Sequence, residues 1–136
     1  MPHSHSISLA GLFLACCFLL GCDDGKMATA PVKGTVTLDG EPVPMGTVTF
    51  VSETKGAPYA YGEIQFDGTF TMSTYGQGDG AVLGRHKIMI SAFKVATDLP
   101  EAKSLLPSKY GSEQTSGLTA EVKEGENDIK LELTKK

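Results

Sequence analysis

The sequence predicts an all-β domain, a seven-stranded, two-sheet β-sandwich. Three observations carry this. Apolar residues alternate with polar ones over short stretches from residue 31 to residue 133. Turn signals such as Asp39-Gly40, Asp67-Gly68 and Gly125-Glu126 separate those stretches. No long stretch carries the 3.6-residue period of an amphipathic helix. The 16 glycines and seven prolines fit many tight turns.

Pro31 to Leu38 is the first strand, with Val32, Gly34, Val36 and Leu38 on one face and Lys33, Thr35 and Thr37 on the other. Asp39-Gly40 turns the chain, and Pro42 and Pro44 exclude a central strand immediately after it. Gly46 to Val51 is the second strand, with Val48 and Phe50 inward; Ser52 to Pro58 is a polar loop. Ala60 to Gln65 and Thr69 to Thr74 form a hairpin. A two-residue loop at 67–68 would set Ile64 and Phe70 on opposite faces, and one extra residue restores them to the same face. The expectation is a type I turn over Gln65–Gly68 with Gly68 left-handed and Phe66 partly exposed. Arg85 to Phe93 has apolar residues on both faces and reads as a central strand. The long segment from Lys94 to Ser116 is expected to form a helical turn within Leu99–Leu106 and to be pinned by Tyr110. The last two strands are read as a hairpin around Gly125-Glu126, pairing Val122 with Ile129, Ala120 with Leu131 and Glu121 with Lys130.

Upstream of this domain, Ile7 to Leu20 is almost continuously apolar and ends in Leu19-Leu20-Gly21-Cys22. A helix of about 14 residues spans roughly 21 Å, short of the ~30 Å hydrocarbon core, so the run suits a secretory signal better than a membrane span. It carries no Lys or Arg at its start, only His3 and His5. The stretch resembles the lipobox of bacterial lipoproteins. The resemblance implies that residues 1–21 are a signal peptide and that Cys22 receives a lipid and becomes the first mature residue; the short, polar, small stretch that follows makes residues 22–30 a tether. Two or three acyl chains on Cys22 would make the membrane the protein's first partner, since one chain holds only marginally. The expected location is outside the cytoplasm, facing the periplasm or cell surface.

Taking residues 1–21 from the 136 leaves 115, enough for one domain over 31–136. All 12 basic and 16 acidic residues lie after position 21. A net charge of −4 with no basic stripe argues against nucleic acid as a partner. Cys16 and Cys17 belong to the signal, so the domain has no disulfide.

Three further stretches resemble a known family: Val32-Lys33-Gly34-Thr35-Val36-Thr37-Leu38-Asp39-Gly40-Glu41-Pro42-Val43-Pro44 with Val48-Thr49-Phe50, Phe66-Asp67-Gly68-Thr69-Phe70, and Gly84-Arg85-His86-Lys87-Ile88. They look like the carboxypeptidase-regulatory-like, transthyretin-like sandwich. With the lipobox, Gly78-Asp79-Gly80-Ala81 and Pro107-Ser108-Lys109-Tyr110, they are similar to small planctomycete lipoproteins of that fold. The resemblance implies the fold and brings no established activity with it. Transthyretin-like hydrolases of 5-hydroxyisourate carry several histidines and end Tyr-Arg-Gly-Ser. This chain ends Leu133-Thr134-Lys135-Lys136, and His86 is its one histidine after Cys22. A lone histidine builds neither a catalytic set nor a transition-metal site. Asp79 has no second acid at Ca²⁺-ligand spacing, so no cofactor is expected. The glycine-rich 75–84 loop precedes no helix and lacks the Gly-Lys-Ser/Thr of a phosphate loop.

The expected role is a non-catalytic structural or interaction module of the cell envelope. The alternative is a carbohydrate- or small-ligand-binding protein that uses exposed Tyr59, Tyr61 and Tyr75 with the 75–84 loop, its partner a glycan or an envelope protein.

Overall fold

The computed structural model describes residues 25–95, 97–98 and 101–136. The apolar run and Cys22 therefore lie outside the described residues. In chain order the elements are β1 (Thr29–Ala30), β2 (Val32–Leu38), β3 (Glu41–Pro42), β4 (Thr47–Ser52), β5 (Ala60–Glu63), β6 (Thr69–Thr71), β7 (Ala81–Val82), β8 (Gly84–Ser91), β9 (Phe93–Lys94), β10 (Lys103–Ser104), a 3-10 helix (Ser108–Gly111), β11 (Leu118–Val122) and β12 (Asn127–Leu133). The seven longer strands are those expected from alternation, and the other five are two-residue pairings.

The protein is an all-β sandwich. One sheet has the order β11-β8-β4-β5, antiparallel throughout. The other places β12 beside β2, with β3 and β6 sharing the far edge of β2. The core lies between them. Val48, Phe50, Ile88, Ile90 and Val122 come from the first sheet; Val32, Val36, Phe70, Leu131 and Leu133 come from the second. Each stands at the inward position of its alternation, so burial follows the period-two pattern directly. Gly34 also lies on the inward face of β2, and a Cβ there would come within 2.6 Å of Phe70 Cζ.

Local turn chemistry matches the sequence closely. Asp39 and Gly40 have φ of 49° and 85°, the type I′ geometry that suits a two-residue hairpin. Gly68 N–H donates to Gln65 O at 2.8 Å, and Gln65 N–H donates to Thr69 O at 2.8 Å. Gly68 sits at φ 84°, which is the left-handed bulge expected. Asp67 tightens the turn by accepting the Thr69 hydroxyl at 2.6 Å and the Thr69 N–H at 3.1 Å. Ile64, Phe70 and Met72 are all buried, as the inserted residue requires, and Phe66 is 88 % exposed at the tip.

Four expectations need correction. The last two strands are not a hairpin: β11 pairs antiparallel with β8, while β12 pairs parallel with β2 over seven register positions. Residues 123–126 cross from one sheet to the other. The matching parities that suggested side-by-side pairing instead put Val122 and Leu131 in the core from opposite sheets. Asn127 holds the crossover, accepting Lys123 N–H at 3.0 Å and donating to the carbonyls of Lys123, Gly125 and Pro31. Second, β8 is central but buried on one face only. Lys87 and Arg85 point outward, and Phe93, in β9, is exposed. Third, Lys103–Ser104 is extended and pairs with β9, whereas the helical turn follows Pro107. Proline fixes the φ of a first helical turn and lacks the N–H that such a turn leaves unused. Fourth, residues 27–30 are not a loose tether. Met27 N–H donates to the Tyr75 hydroxyl at 2.9 Å, and β1 pairs with β7.

Tyr110 pins the long segment as expected. Its ring is buried, and its hydroxyl accepts Thr134 N–H at 2.9 Å and donates to Thr134 O at 3.2 Å. Tyr110→Phe removes both bonds and leaves the Thr134 amide to water. It should cost about 1–2 kcal/mol, read as a lower urea midpoint with an unchanged m-value.

Candidate functional site

The hairpin of β5 and β6 is split between the two sheets, and the split creates the site. β5 is the edge of one sheet, through β4; β6 is an edge of the other, through β2. Backbone hydrogen bonds close the hairpin at two points. Tyr61 and Ser73 exchange two backbone hydrogen bonds of 2.9 Å, and Gln65 donates to Thr69 O. Glu63 and Thr71, the pair that would complete the ladder between these points, are not bridged. Here a groove of about 510 Å³ opens outward. Tyr61, Glu63 and Gln65 line it from the β5 side, Thr69, Thr71 and Ser73 from the β6 side. Buried Phe70 forms its floor, and Gln77 and Gly78 close one rim.

The rim is built by Asp79. Its carboxylate accepts N–H bonds from Thr74 at 2.7 Å and from Tyr75 and Gly76 at 2.9 Å each, drawing the chain into a tight cradle. Ser73 Oγ accepts the Gly78 N–H at 2.8 Å and ties the cradle to β6. Partial burial pushes the Asp79 carboxyl up, but the bonds from Thr74, Gly76 and Tyr75 outweigh it and hold the carboxyl below its ordinary 3.8. Asp79 is thus occupied by the protein's own amides. A carboxylate with a lowered pKa stabilises the fold above its unfolded value, and that stabilisation is lost as pH falls through the folded value. The advantage of the wild type over Asp79→Asn should therefore be constant near neutrality and shrink below about pH 4. Asp79→Ala should cost about 1–2 kcal/mol at pH 7, by analogy with loss of a helix cap; thermal melts across pH check both.

The three tyrosines do not form one surface. Tyr59 and Tyr61 lie together on the outer face, ring centroids 6.4 Å apart and tilted by 58°, each about half exposed. Tyr75 instead serves the N-terminal segment: its hydroxyl takes the Met27 amide, and Lys26 Nζ lies 5.6 Å from its ring centroid. His86 is fully buried against Phe50, with Nε2 2.6 Å from Val82 O and Nδ1 unpartnered. Among the described residues no group of three or more His, Cys, Asp or Glu is placed to hold a metal ion. Cys22 lies outside the described residues.

Sequence reasoning did not single out Glu63, Gln65, Thr71, Ser73 or Gln77. The signal was present as a run of outward polar positions, 61, 63, 65 and 69, 71, 73, on either side of a bulged turn. An ordinary closed hairpin shows the same pattern.

No family model matches the chain, and no curated protein matches it. Among solved structures it is similar to a DUF3823 family protein from Parabacteroides merdae, with 13 % identity and a TM-score of 0.44. The match covers 79 % of this chain and 46 % of that one, so this chain spans less than half of its neighbour's length.

Proposed function

We propose that the protein is a lipid-anchored module of the bacterial cell envelope, of the carboxypeptidase-regulatory-like type, with a non-catalytic structural or interaction role. Cys22 carries the lipid, after an apolar run that delivers the chain across the membrane. The observation that supports this reading is the fastening of residues 27–30 onto the sandwich. A long, loose linker would leave the domain free to tumble. Cys22 lies only five positions before Met27, whose amide the Tyr75 hydroxyl holds, and five residues span at most about 18 Å even when fully extended. An acylated Cys22 would thus hold the Tyr75 end of the sandwich close to the bilayer. Among the described residues no helix is long and apolar enough to cross a membrane.

The test is intact mass of the membrane-extracted protein beside a Cys22→Ala variant. A wild-type chain that starts at residue 22 and carries added acyl mass, with the variant unmodified and released from membranes, is the expected result. A soluble, unmodified wild-type chain would overturn the assignment.

A further inference from the structure

The groove between β5 and β6 has a chemistry that the anchoring role does not use, and we infer that it binds a neutral saccharide. The inference concerns the domain's own surface and does not rest on the lipid. The side chains around the groove are amides, hydroxyls and one carboxylate: Gln65, Gln77, Thr71, Ser73 and Glu63. None is cationic, so phosphate or carboxylate ligands gain no partner there. Lys33, the register partner of Thr71, lines an adjoining depression with Asn127 instead. Tyr61 supplies a half-exposed ring whose orientation is supported by Tyr59. An aromatic ring with an apolar face, flanked by neutral donors and acceptors, matches a sugar, which presents C–H faces and a rim of hydroxyls.

The backbone adds to this. In β5, the amides of residues 62 and 64 belong to the β4 side, as the Ile64 N–H to Gly46 O bond shows. Alternation therefore turns the N–H and C=O of Glu63 toward β6. By the same count the Met72 N–H goes to Val32 O on β2, which turns the main-chain groups of Thr71 toward β5. No β-bridge joins these groups, and the Glu63 carbonyl accepts the Gln65 side-chain amide at 3.4 Å, which holds that amide at the groove. The closures at Tyr61–Ser73 and Gln65–Thr69 exclude an added peptide strand, because a strand would need an open end to run through. A compact ring needs none. The Asp79 cradle and the Ser73–Gly78 bond hold the backbone on both sides of Gln77 before any ligand arrives, which lowers the ordering cost of binding.

The chain has four tyrosines and no tryptophan, so tyrosine fluorescence reads the site directly. Full-length protein in detergent is titrated with cellotetraose, maltotetraose and N-acetylchitotetraose, with polygalacturonate as the anionic comparison. At least one neutral tetrasaccharide should bind at millimolar concentration or below. Tyr61→Ala and Gln77→Ala should each weaken that binding at least tenfold, while Phe66→Ala, an exposed aromatic outside the groove, leaves it unchanged. Gln77 lies in a loop outside the strands, so Gln77→Ala decides the matter should Tyr61→Ala fail to fold. Failure of all three neutral sugars to bind, binding of the polyanion alone, or wild-type affinity in Gln77→Ala would each overturn the inference. None of these outcomes bears on Cys22.

Discussion

Gly34→Ala is expected to cost the domain about 4 kcal/mol or more, a large part of the roughly 5–15 kcal/mol that holds a domain of this size folded. The glycine is central in β2, with β12 on one side and β6 on the other. A Cβ at this position would overlap the backbone oxygen of Ile129 and lie 2.6 Å from Phe70 Cζ. The Phe70 ring covers the space that other residues fill with their own side chain. Shortening it with Phe70→Leu relieves only one of the two clashes. The Ile129 oxygen belongs to the β12 backbone, and moving it disturbs the seven-position ladder with β2. Gly34→Ala should therefore lose its cooperative urea transition or shift it to far lower denaturant, and adding Phe70→Leu should not restore it. A midpoint equal to wild type would show that β2 and β12 are not packed as described.

Phe50→Ala should cost about 3–5 kcal/mol, the range for removing a buried aromatic ring. Phe50 is fully buried at the middle of its sheet, with Ala60 and Ile88 as register partners. Its ring centroid lies 5.5 Å from that of His86, which is also fully buried. Ala60 is small and His86 is held by Val82 O, so neither can refill the space. Phe66→Ala is the matched comparison. It removes the same ring from an exposed turn and should change stability by less than about 0.5 kcal/mol. Equal effects for the two substitutions would contradict the assignment of the core.

How much of this was legible in the sequence depends on the range over which each feature is encoded. Residues 32–38 state their own burial, because alternation needs no partner to be read. The bulge at Gly68 was also local: Ile64 and Phe70 can share a face only with one extra residue between them. The C-terminal crossover was not local. Val122 and Leu131 turn inward together in a hairpin and in two facing sheets alike, and parity cannot separate the two. Only the competition for β8 and β2 decides, and the partner positions there lie at least 30 residues away. The groove was hidden for the same reason, since its existence depends on β5 and β6 joining different sheets. The Tyr75 contact was invisible because its partner is a main-chain amide 48 residues away, which leaves no side-chain signature. The lipid proposed for Cys22 is the opposite case, because that proposal starts from the residue's immediate neighbours in sequence.

The parallel pairing of β12 with β2 has a mechanical side. A pull applied upstream of Val32 and downstream of Leu133 acts on opposite ends of two adjacent, parallel strands. It loads the ladder in shear, so the seven register positions resist together. The Asn127 amide and side chain, both bonded to Pro31 O, reinforce the end where that load enters β2. A hairpin in the same place would have opened one bond at a time from its free ends. Survival under tension is set by the rate of unfolding rather than by equilibrium stability. The strand order thus suits a domain held at one end and tugged at the other.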